Sequence, residues 1–328
     1  MKKLINAPEA VLSESLKGFA FAHRTLVTLD PQERFLRRRV LHAGKVALVS
    51  GGGSGHEPLH AGFVGHGMLD AAVPGAVFTS PTPDRIAAAV EAVQNPAGVL
   101  LIVKNYEGDV MNFDMARDLA DTEIATVLVD DDVAVERSTY SIGRRGVAGT
   151  LVVEKMVGAA AEQGRDLQAL AALGTRVVGA TRSMGLALAP CTVPASGKPN
   201  FTLSADEIEM GVGIHGEPGR RRAQMQPADA LVEEMLAAIL GDLAPPSGSD
   251  LLLLVNGFGA TPLIELYLVL QAARTRLEGR GYTVARTLVG SYVTSLDMAG
   301  CSLTITVLDE ELQALWDAPV HTPALRWS

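Results

Sequence analysis

The first half of the chain repeats one pattern, in which a short apolar run rich in branched residues precedes polar residues or glycine and then an amphipathic stretch. The predicted strands lie at 45–50, 99–104 and 125–129, and the predicted helices at 84–93 and 148–163. Strands that alternate with helices predict an α/β unit with a largely parallel sheet. Ligands of such sheets bind at the carboxyl ends of the strands. The polar residues that follow the first two strands are therefore candidate site residues.

The second half of the chain also alternates strands with helices, although glycine interrupts its strands more often. Its predicted strands lie at 251–256, 282–289 and 302–308, and its predicted helices at 228–240 and 262–276. A segment rich in proline at 188–200 is the best candidate for a linker. We therefore predict two α/β domains. The N-terminal domain, 1–185, has a largely parallel sheet, and the smaller C-terminal domain, 186–328, has a mixed sheet.

Charge and composition exclude several classes of function. The formal net charge of −9 argues against a nucleic-acid partner and against anionic membranes, which both require a basic surface. The N-terminus has no apolar segment after its two lysines, and no apolar run is long enough to span a bilayer. The two cysteines lie far apart in sequence and form no disulfide framework. We expect a cytoplasmic protein.

The motif GGGSGHEP at 51–58 follows the first predicted strand. Four glycines in five positions favour a loop whose backbone approaches an oxygen-rich ligand. The motif lacks the Gly-Lys-Ser/Thr end of a nucleotide P-loop, and His56 stands where a dinucleotide-binding motif needs its third glycine. A purely structural turn is the alternative.

His56 and His60 match the zinc-protease pattern HExxH, but Pro58 stands between them. Proline fits only the first turn of a helix, so His56 would precede the helix and would not align with His60. We therefore do not predict zinc or another metal. A histidine directly after a glycine-rich loop at a strand end is suited to proton transfer, and a packing role is the alternative.

The second strand ends at Lys104, and Asp109 follows it after a turn at Gly108. Lys104 is a candidate for binding a sugar oxygen or a phosphate. Local sequence alone favours a helix N-cap for Asp109, with a general base as the alternative. The acidic run at 130–132 is a weaker candidate for a cation site, since acidic loops are more often simply solvated.

His215 lies in the segment GVGIHGEPG at 211–219, in which glycine and proline restrict the backbone. Such a loop can hold a side chain against a ligand. Histidine can act as nucleophile, base or metal ligand. No second metal ligand lies close in sequence, and an exposed turn histidine is the alternative.

Taken together, these motifs resemble the dihydroxyacetone kinase family. The matching segments are GGGSGHEP at 51–58, FTSPTPD at 78–84, VKNYEGD at 103–109, VDDDVAV at 129–135, GIHGEPG at 213–219, TSLDM at 294–298 and LWDAPVHTPAL at 315–325. The resemblance spans nearly the whole chain. It implies a phosphotransferase subunit that binds dihydroxyacetone.

The resemblance also implies roles for matched positions. His215 would attack the ketone carbon and form a hemiaminal, while His56 and Asp109 would handle the proton of the hydroxyl that receives phosphate. The substrate would also contact Lys104 and the backbone or hydroxyl groups of Gly53, Ser54 and Gly55. A carbonyl trap would exclude polyols, which have no electrophilic carbon.

The resemblance further implies partners. No helical ATP-binding domain follows this region of the sequence, so the chain resembles the separate substrate-binding subunit of the family. We expect no cofactor on this chain, Mg-ADP on a helical partner subunit, a phosphotransferase-system protein as phosphoryl donor with phosphoenolpyruvate as the ultimate source, and a homodimer. The alternatives are a kinase subunit for another short ketose such as erythrulose, a ligand-sensing coactivator without turnover, and a self-contained ATP kinase, which no nucleotide motif supports.

Overall fold

The computed structural model describes residues 2–135, 143–217 and 219–328. Its first sheet contains β1 (Val27–Leu29), β2 (Leu36–Arg38), β3 (Ala47–Ser54), β4 (Ala71–Val77), β5 (Val99–Lys104) and β6 (Ile124–Val129). Their order across the sheet is β1-β2-β4-β3-β5-β6. Strands β4, β3, β5 and β6 run parallel, whereas β1 and β2 pair antiparallel at one edge. The three predicted strands and the largely parallel sheet are therefore confirmed.

Helices cover both faces of this sheet. They are α1 (Val11–Ala22), α2 (Pro83–Val93), α3 (Glu107–Asp118), α4 (Gly149–Glu162) and α5 (Leu167–Gly179). Side chains alternate between the two faces along each strand. Leu101 of β5 packs with α2 and α3, whereas its neighbours Leu100 and Ile102 pack with α4 and α5.

The second sheet contains β7 (Thr181–Ala189), β8 (Glu207–Met210), β9 (Arg221–Gln224), β10 (Asp250–Gly257), β11 (Thr283–Gly290) and β12 (Ala299–Leu308). Their order is β11-β10-β12-β7-β8-β9. The pair β10 and β11 is parallel and the other pairs are antiparallel, so the sheet is mixed as predicted. Helices α6 (Ala228–Leu243) and α7 (Leu263–Gly279) pack against one of its faces.

Helix α4 lies between the two sheets. Leu100 from the first sheet and Leu254 from the second belong to the same apolar core as this helix. Every residue of α4 from Gly149 to Ala161 is buried. We predicted an amphipathic helix here, and that prediction was wrong, because a helix enclosed on all sides has no solvent-facing stripe. Glu154 and Lys155 are consequently ionisable residues in the protein interior.

The segment 188–200 does not join the two sheets. It follows β7 and leads to β8, and these two strands pair with each other in the second sheet. The predicted domain boundary after residue 185 falls within β7. The division into two domains at that position stays a prediction.

The last part of the chain packs against the first half. Helix α8 (Glu310–Asp317) is followed by a two-stranded sheet of β13 (Val320–His321) and β14 (Arg326–Trp327). The amide of His321 donates a hydrogen bond to the carbonyl of His66 at 2.9 Å, and Trp316 and Leu325 are buried in the shared core. In the described part of the chain, no helix has the length and apolar character needed to cross a membrane.

Candidate active site

The glycine motif is a strand rather than a loop as far as Ser54. Gly51, Gly52 and Gly53 continue β3 and pair with β4, so the predicted loop directly after Ser50 was wrong. A Cβ atom on Gly52 would overlap the ammonium group of Lys104, and one on Gly53 would lie 2.6 Å from the amide nitrogen of Thr79. These glycines therefore make room for the protein's own groups at the strand end.

His56 is buried at the end of this segment, and the second sheet holds it there. Its Nδ1 lies 2.7 Å from the carbonyl oxygen of Thr294. A carbonyl oxygen only accepts, so Nδ1 carries the proton and Nε2 presents a lone pair. Burial, and next the nearby His215, hold the pKa of His56 well below its usual value of 6.5. His56 is therefore a neutral ring suited to accept a proton at Nε2.

Thr294, which holds His56, lies in the loop that follows β11. Asn256 at the end of β10 fixes this loop. The Asn256 side-chain oxygen accepts hydrogen bonds from the amides of Tyr292 and Val293, both at 2.9 Å, and its amide group donates to the carbonyl of Val293 at 2.7 Å. Through this loop the second sheet determines the position of a ring in the first half of the chain.

Lys104 and Asp109 form a buried pair at the end of β5. The Nζ of Lys104 lies 3.4 Å from Oδ2 of Asp109, and both side chains are almost completely inaccessible. Helix α3 begins at Glu107 with Tyr106 as its N-cap, so the predicted N-cap role of Asp109 was wrong. The Asp109 carboxylate points inward from the first turn of the helix. It lies beside Lys104 and does not cap the helix.

His215 lies on the loop after β8 and pairs with Glu217. Its Nδ1 is 2.8 Å from Oε1 of Glu217, and its backbone amide donates to Oε2 at 3.1 Å. Burial alone would raise the pKa of Glu217, but His215 and Arg145 outweigh it and lower the pKa to about 2. An ionised carboxylate at Nδ1 keeps the proton on that nitrogen and leaves the Nε2 lone pair available. Pro218 of the predicted motif lies outside the described residues.

The rings of the two histidines meet, although 158 positions separate them in sequence. Their centroids lie 4.7 Å apart, edge to face. Phe78 stacks on His56 with centroids 5.1 Å apart, and Tyr106 lies edge-on to His215 at 4.6 Å. The side chain of His215 is 20% exposed and can be reached by a small molecule. The structure thus brings His56, His215 and the Lys104–Asp109 pair to one end of the first sheet.

Three buried polar atoms at this place have no hydrogen-bond partner among the described residues. They are Nε2 of His56, Oδ1 of Asp109 and the hydroxyl of Tyr106. Buried polar groups are nearly always paired in folded proteins, and exceptions often mark places where a ligand binds. Burial raises the pKa of Tyr106 well above 10, so its hydroxyl stays protonated and can donate. A proton donor and two proton acceptors are therefore available to a small polar molecule.

The Ser54 hydroxyl and the Gly55 amide, which were predicted to contact substrate, both form hydrogen bonds within the chain. The Ser54 hydroxyl donates to the carbonyl of Gly75 at 2.7 Å. The amide of Gly55 donates to both carboxylate oxygens of Glu57 at 3.0 Å. The Ser54 oxygen can still accept a hydrogen bond, whereas the Gly55 amide has its partner. The substrate-binding roles of these residues and of Gly53 stay predictions.

His60 does not belong to a zinc motif, because residues 56–60 form no α-helix. It lies in a buried chain of polar groups instead. Its Nε2 is 2.9 Å from the Nζ of Lys104, and its Nδ1 is 2.6 Å from Oε1 of Glu154 on α4. Burial raises the pKa of Glu154 to about 8. Glu154 is therefore mostly protonated at pH 7, and the Lys104–Asp109 pair is left electrically balanced.

The acidic run at 130–132 is mostly structural. Asp131 accepts hydrogen bonds from the amides of Val147 and Gly149 at the start of α4, at 2.8 and 2.7 Å. Asp132 pairs with Arg145 at 2.6 Å, and both aspartates are buried. The interpretation of this run as a solvated loop was therefore wrong, because its carboxylates bind backbone amides and a guanidinium group.

Sequence analysis missed several residues that shape the site. Glu217, Tyr106 and Phe78 lay within the recognised motifs but were given no role. Glu217 could have been found, because a carboxylate two residues after a histidine in a rigid loop can orient that ring. Glu154 could have been noticed as a charge in an otherwise apolar helix. The contact of Phe78 with His56 has no signal in the sequence, because it depends on how β3 and β4 end.

Glu154→Gln is expected to stabilise the protein more at pH 8 than at pH 5. The folded-state pKa of Glu154, about 8, lies above its unfolded value near 4.5, so its contribution to stability is complete below pH 4.5 and is lost as the pH rises through 8. Glutamine is neutral throughout and loses nothing. The difference in unfolding free energy between variant and wild type should shift by on the order of 3 kcal/mol between the two pH values, measured by thermal or urea unfolding.

Glu162→Gln provides the matched control on the same helix. Burial opposes ionisation of Glu162, but Arg38 and Lys45 outweigh it and lower its pKa below 4.5. Its carboxylate is therefore ionised at both pH 5 and pH 8, and the cost of this substitution should be similar at the two values. An equal effect of Glu154→Gln at both pH values would show that Glu154 is ionised throughout.

Comparisons with known proteins agree with this fold. The Dak1 domain matches residues 17–324. The chain is 49% identical to the dihydroxyacetone-binding subunit of the PEP-dependent dihydroxyacetone kinase of Escherichia coli (strain K12), over 100% of this chain and 99% of that protein. It is 51% identical to the dihydroxyacetone-binding subunit of the PTS-dependent dihydroxyacetone kinase 1 of Listeria innocua, over 95% of each.

Among solved structures, the chain is similar to a dihydroxyacetone kinase operon co-activator. The two superpose with a TM-score of 0.90 and 33% identity, over 95% of this chain and 97% of the other. The site and the fold define a class of small-molecule-binding α/β proteins. The comparisons identify the family within this class. The chain belongs to the Dak1 domain family, that is, the dihydroxyacetone kinase family, as predicted. The prediction of a phosphotransferase subunit also agrees, since both relatives are subunits of dihydroxyacetone kinases.

Proposed function

We propose that this chain is the substrate-binding subunit of a cytoplasmic dihydroxyacetone kinase, and that it holds dihydroxyacetone as a hemiaminal on His215. The observation that carries the proposal is the meeting of an accessible His215 ring with three buried polar atoms that lack partners, on His56, Asp109 and Tyr106. The names of two similar kinase subunits support the choice of substrate.

The pairing of His215 with Glu217 suits it to attack a ketone. The lone pair of Nε2 forms a bond to the carbonyl carbon, the π electrons move to the carbonyl oxygen, and that oxygen takes up one proton from solvent. The ring keeps its Nδ1 proton and becomes positively charged. Ionised Glu217 at 2.8 Å balances that charge. A polyol cannot form this bond, which gives a selectivity that hydrogen bonding alone would not provide.

Covalent attachment also fixes the hydroxyl that receives phosphate. Positioning supplies most of what phosphoryl transfer requires from the protein. The free Oδ1 of Asp109 or Nε2 of His56 accepts the hydroxyl proton as the oxygen attacks phosphorus. Lys104 holds the other oxygen of Asp109, so the carboxylate keeps one oxygen directed at the substrate.

The phosphoryl group comes from a second protein under this proposal. A helical partner subunit carries Mg-ADP and is rephosphorylated by a phosphotransferase-system protein, with phosphoenolpyruvate as the ultimate source. The names of the two relatives, which refer to phosphoenolpyruvate and to that system, support this arrangement. The subunit itself acts as a homodimer and holds no cofactor.

Two alternatives share the same pocket. Another short ketose such as erythrulose would use the same histidine. A coactivator without turnover is favoured by one observation, the TM-score of 0.90 to a dihydroxyacetone kinase operon co-activator. The presence of His56, Lys104, Asp109 and His215 in one site favours the kinase subunit, because sensing alone does not require a proton acceptor at the hydroxyl.

Turnover with and without a partner protein tests the proposal. The purified chain should gain the mass of one sugar when incubated in parallel with the ketoses dihydroxyacetone and erythrulose or the aldose glyceraldehyde, and the highest occupancy should identify the preferred substrate. Phosphorylated product should form only when the ADP-carrying partner subunit and its donor proteins are added. Product formation with ATP alone would contradict the subunit role, and an adduct without any turnover in the complete system would favour the coactivator.

A further inference from the structure

A continuous series of buried polar groups leads from the proposed site into α4. Lys104 is fully buried, and its Nζ lies 3.1 Å from the carbonyl oxygen of Gly51, 3.4 Å from Oδ2 of Asp109 and 2.9 Å from Nε2 of His60. The other ring nitrogen of His60 lies 2.6 Å from Oε1 of Glu154. Lys104 and Asp109 belong to the site already described. His60 and Glu154 have no part in the chemistry proposed above.

The contacts of Lys104 determine where the His60 proton lies. An ammonium group has three hydrogens and no lone pair, and three acceptors surround this one. A proton on Nε2 of His60 would face the ammonium hydrogens, so Nε2 must accept and Nδ1 must carry the proton. Glu154 then accepts from Nδ1. The Ser50 hydroxyl, 3.0 Å from Nδ1, donates to the carbonyl of Ile102 at 2.7 Å, so it also offers its oxygen to Nδ1.

Because His60 is a neutral acceptor for Lys104, it does not weaken the pairing of Lys104 with Asp109. A carboxylate in place of His60 would compete with Asp109 for the Lys104 charge. A neutral ring holds one hydrogen of the ammonium without neutralising it, so the charge stays available to Asp109. The groups that face His60 are Lys104, Glu154 and Ser50. Burial, and next Lys104, hold the pKa of His60 well below 6.5, which agrees with a neutral ring.

We propose that His60, held in its Nδ1-protonated form by Glu154, is a positioning residue that fixes the ammonium of Lys104 against one oxygen of Asp109 and so leaves the other oxygen free for the substrate hydroxyl. The inference rests on the proposed function, because it concerns the same hydroxyl. His60 touches neither substrate nor phosphate. Its effect is exerted through Lys104, and it should appear in the phosphoryl-transfer step and not in the attachment of the ketose to His215.

Two amide substitutions at His60 separate its two hydrogen bonds. The side-chain oxygen of glutamine reaches about as far as Nε2 and can accept from Lys104, whereas that of asparagine reaches only about as far as Nδ1 and remains near Glu154. We expect kcat of His60→Gln to exceed that of His60→Asn by about 10- to 100-fold, the range for a hydrogen bond to a charged group. The occupancy of the ketose adduct, measured by intact mass, should be equal in both.

His66 provides the matched control, since it also pairs with a glutamate, Glu162, but is 49% exposed and lies outside the site. His66→Gln and His66→Asn should both keep the wild-type kcat. Equal kcat values for the two His60 variants, or a higher value for His60→Asn, would overturn the inference. A loss of adduct that parallels the loss of kcat would also overturn it, because that result indicates general damage to the pocket.

Glu154 tests the same inference from the other end. Glu154→Gln keeps an oxygen that accepts from Nδ1 of His60, whereas Glu154→Leu removes it and frees the ring to change its tautomer. We expect the glutamine variant to have a kcat about 10-fold above the leucine variant, with equal adduct occupancy. Equal kcat values would contradict the role of Glu154. Absence of an adduct in the wild-type protein would instead contradict the proposed function itself, so the two failures are distinguishable.

Discussion

Asp109→Asn is expected to lower kcat by about 10²- to 10⁴-fold, the usual contribution of a general base, while the ketose adduct on His215 still forms. Asparagine has nearly the same shape and can still contact Lys104, but it cannot accept the hydroxyl proton. The free Oδ1 of Asp109 is the atom whose function is lost. The rate is measured in the complete system with partner and donor proteins, and the adduct by intact mass.

Asp118→Asn is the control for this substitution. Asp118 is also on α3, but its side chain is 74% exposed and it lies at the far end of the helix. Its substitution should leave kcat unchanged. If Asp109→Asn kept more than about a third of the wild-type kcat, proton transfer would have to be assigned to His56 instead, which is the other buried acceptor without a partner.

His215→Ala is expected to have the largest effect, a loss of kcat of about 10³-fold or more, together with complete loss of the ketose adduct. The variant cannot form the covalent bond between His215 and the ketose. Without that bond, the ketose is not held in a fixed position for reaction with the phosphoryl donor. Selectivity against polyols should fall at the same time, because the remaining contacts are hydrogen bonds that a polyol can also make.

The exposed His42 offers a control of the same residue type. His42→Ala should form the adduct and turn over like the wild type. A His215→Ala variant that retained kcat within about 10-fold would show that ordinary hydrogen bonding holds the ketose, and the covalent part of the account would have to be abandoned.

Much of the fold was predictable because local patterns agreed with the final packing. Strands β3, β5 and β6 of the first sheet were recognisable, since buried parallel strands are continuous apolar runs with clear ends, whereas β1, β2 and β4 were not predicted. The position of α4 was not predictable, because an apolar helix has the same sequence pattern whether it is covered by one sheet or by two. The extension of β3 through Gly51–Gly53 also escaped prediction, since glycine normally indicates a turn and only the pairing with β4 overrides that preference.

The site was predictable residue by residue but not as an arrangement. His56, Lys104, Asp109 and His215 were identified from strand ends and from the family resemblance, and the structure places them together. The predicted cap role of Asp109 was wrong because the N-cap is Tyr106, so the helix begins three residues earlier than a cap at Asp109 would require. The partners that tune these groups, Glu217 and His60, act through contacts across the fold, and contacts of that kind leave little trace in a single sequence.

The bond between His215 and the ketose is the central claim, and one NMR measurement tests it directly. Protein labelled with ¹⁵N at its histidines is mixed with dihydroxyacetone labelled with ¹³C at the ketone carbon. A one-bond coupling between that carbon and a histidine nitrogen should appear in the wild-type protein and should be absent in His215→Ala. A bound ketose without this coupling in the wild-type protein would show that the site holds its substrate by hydrogen bonds alone.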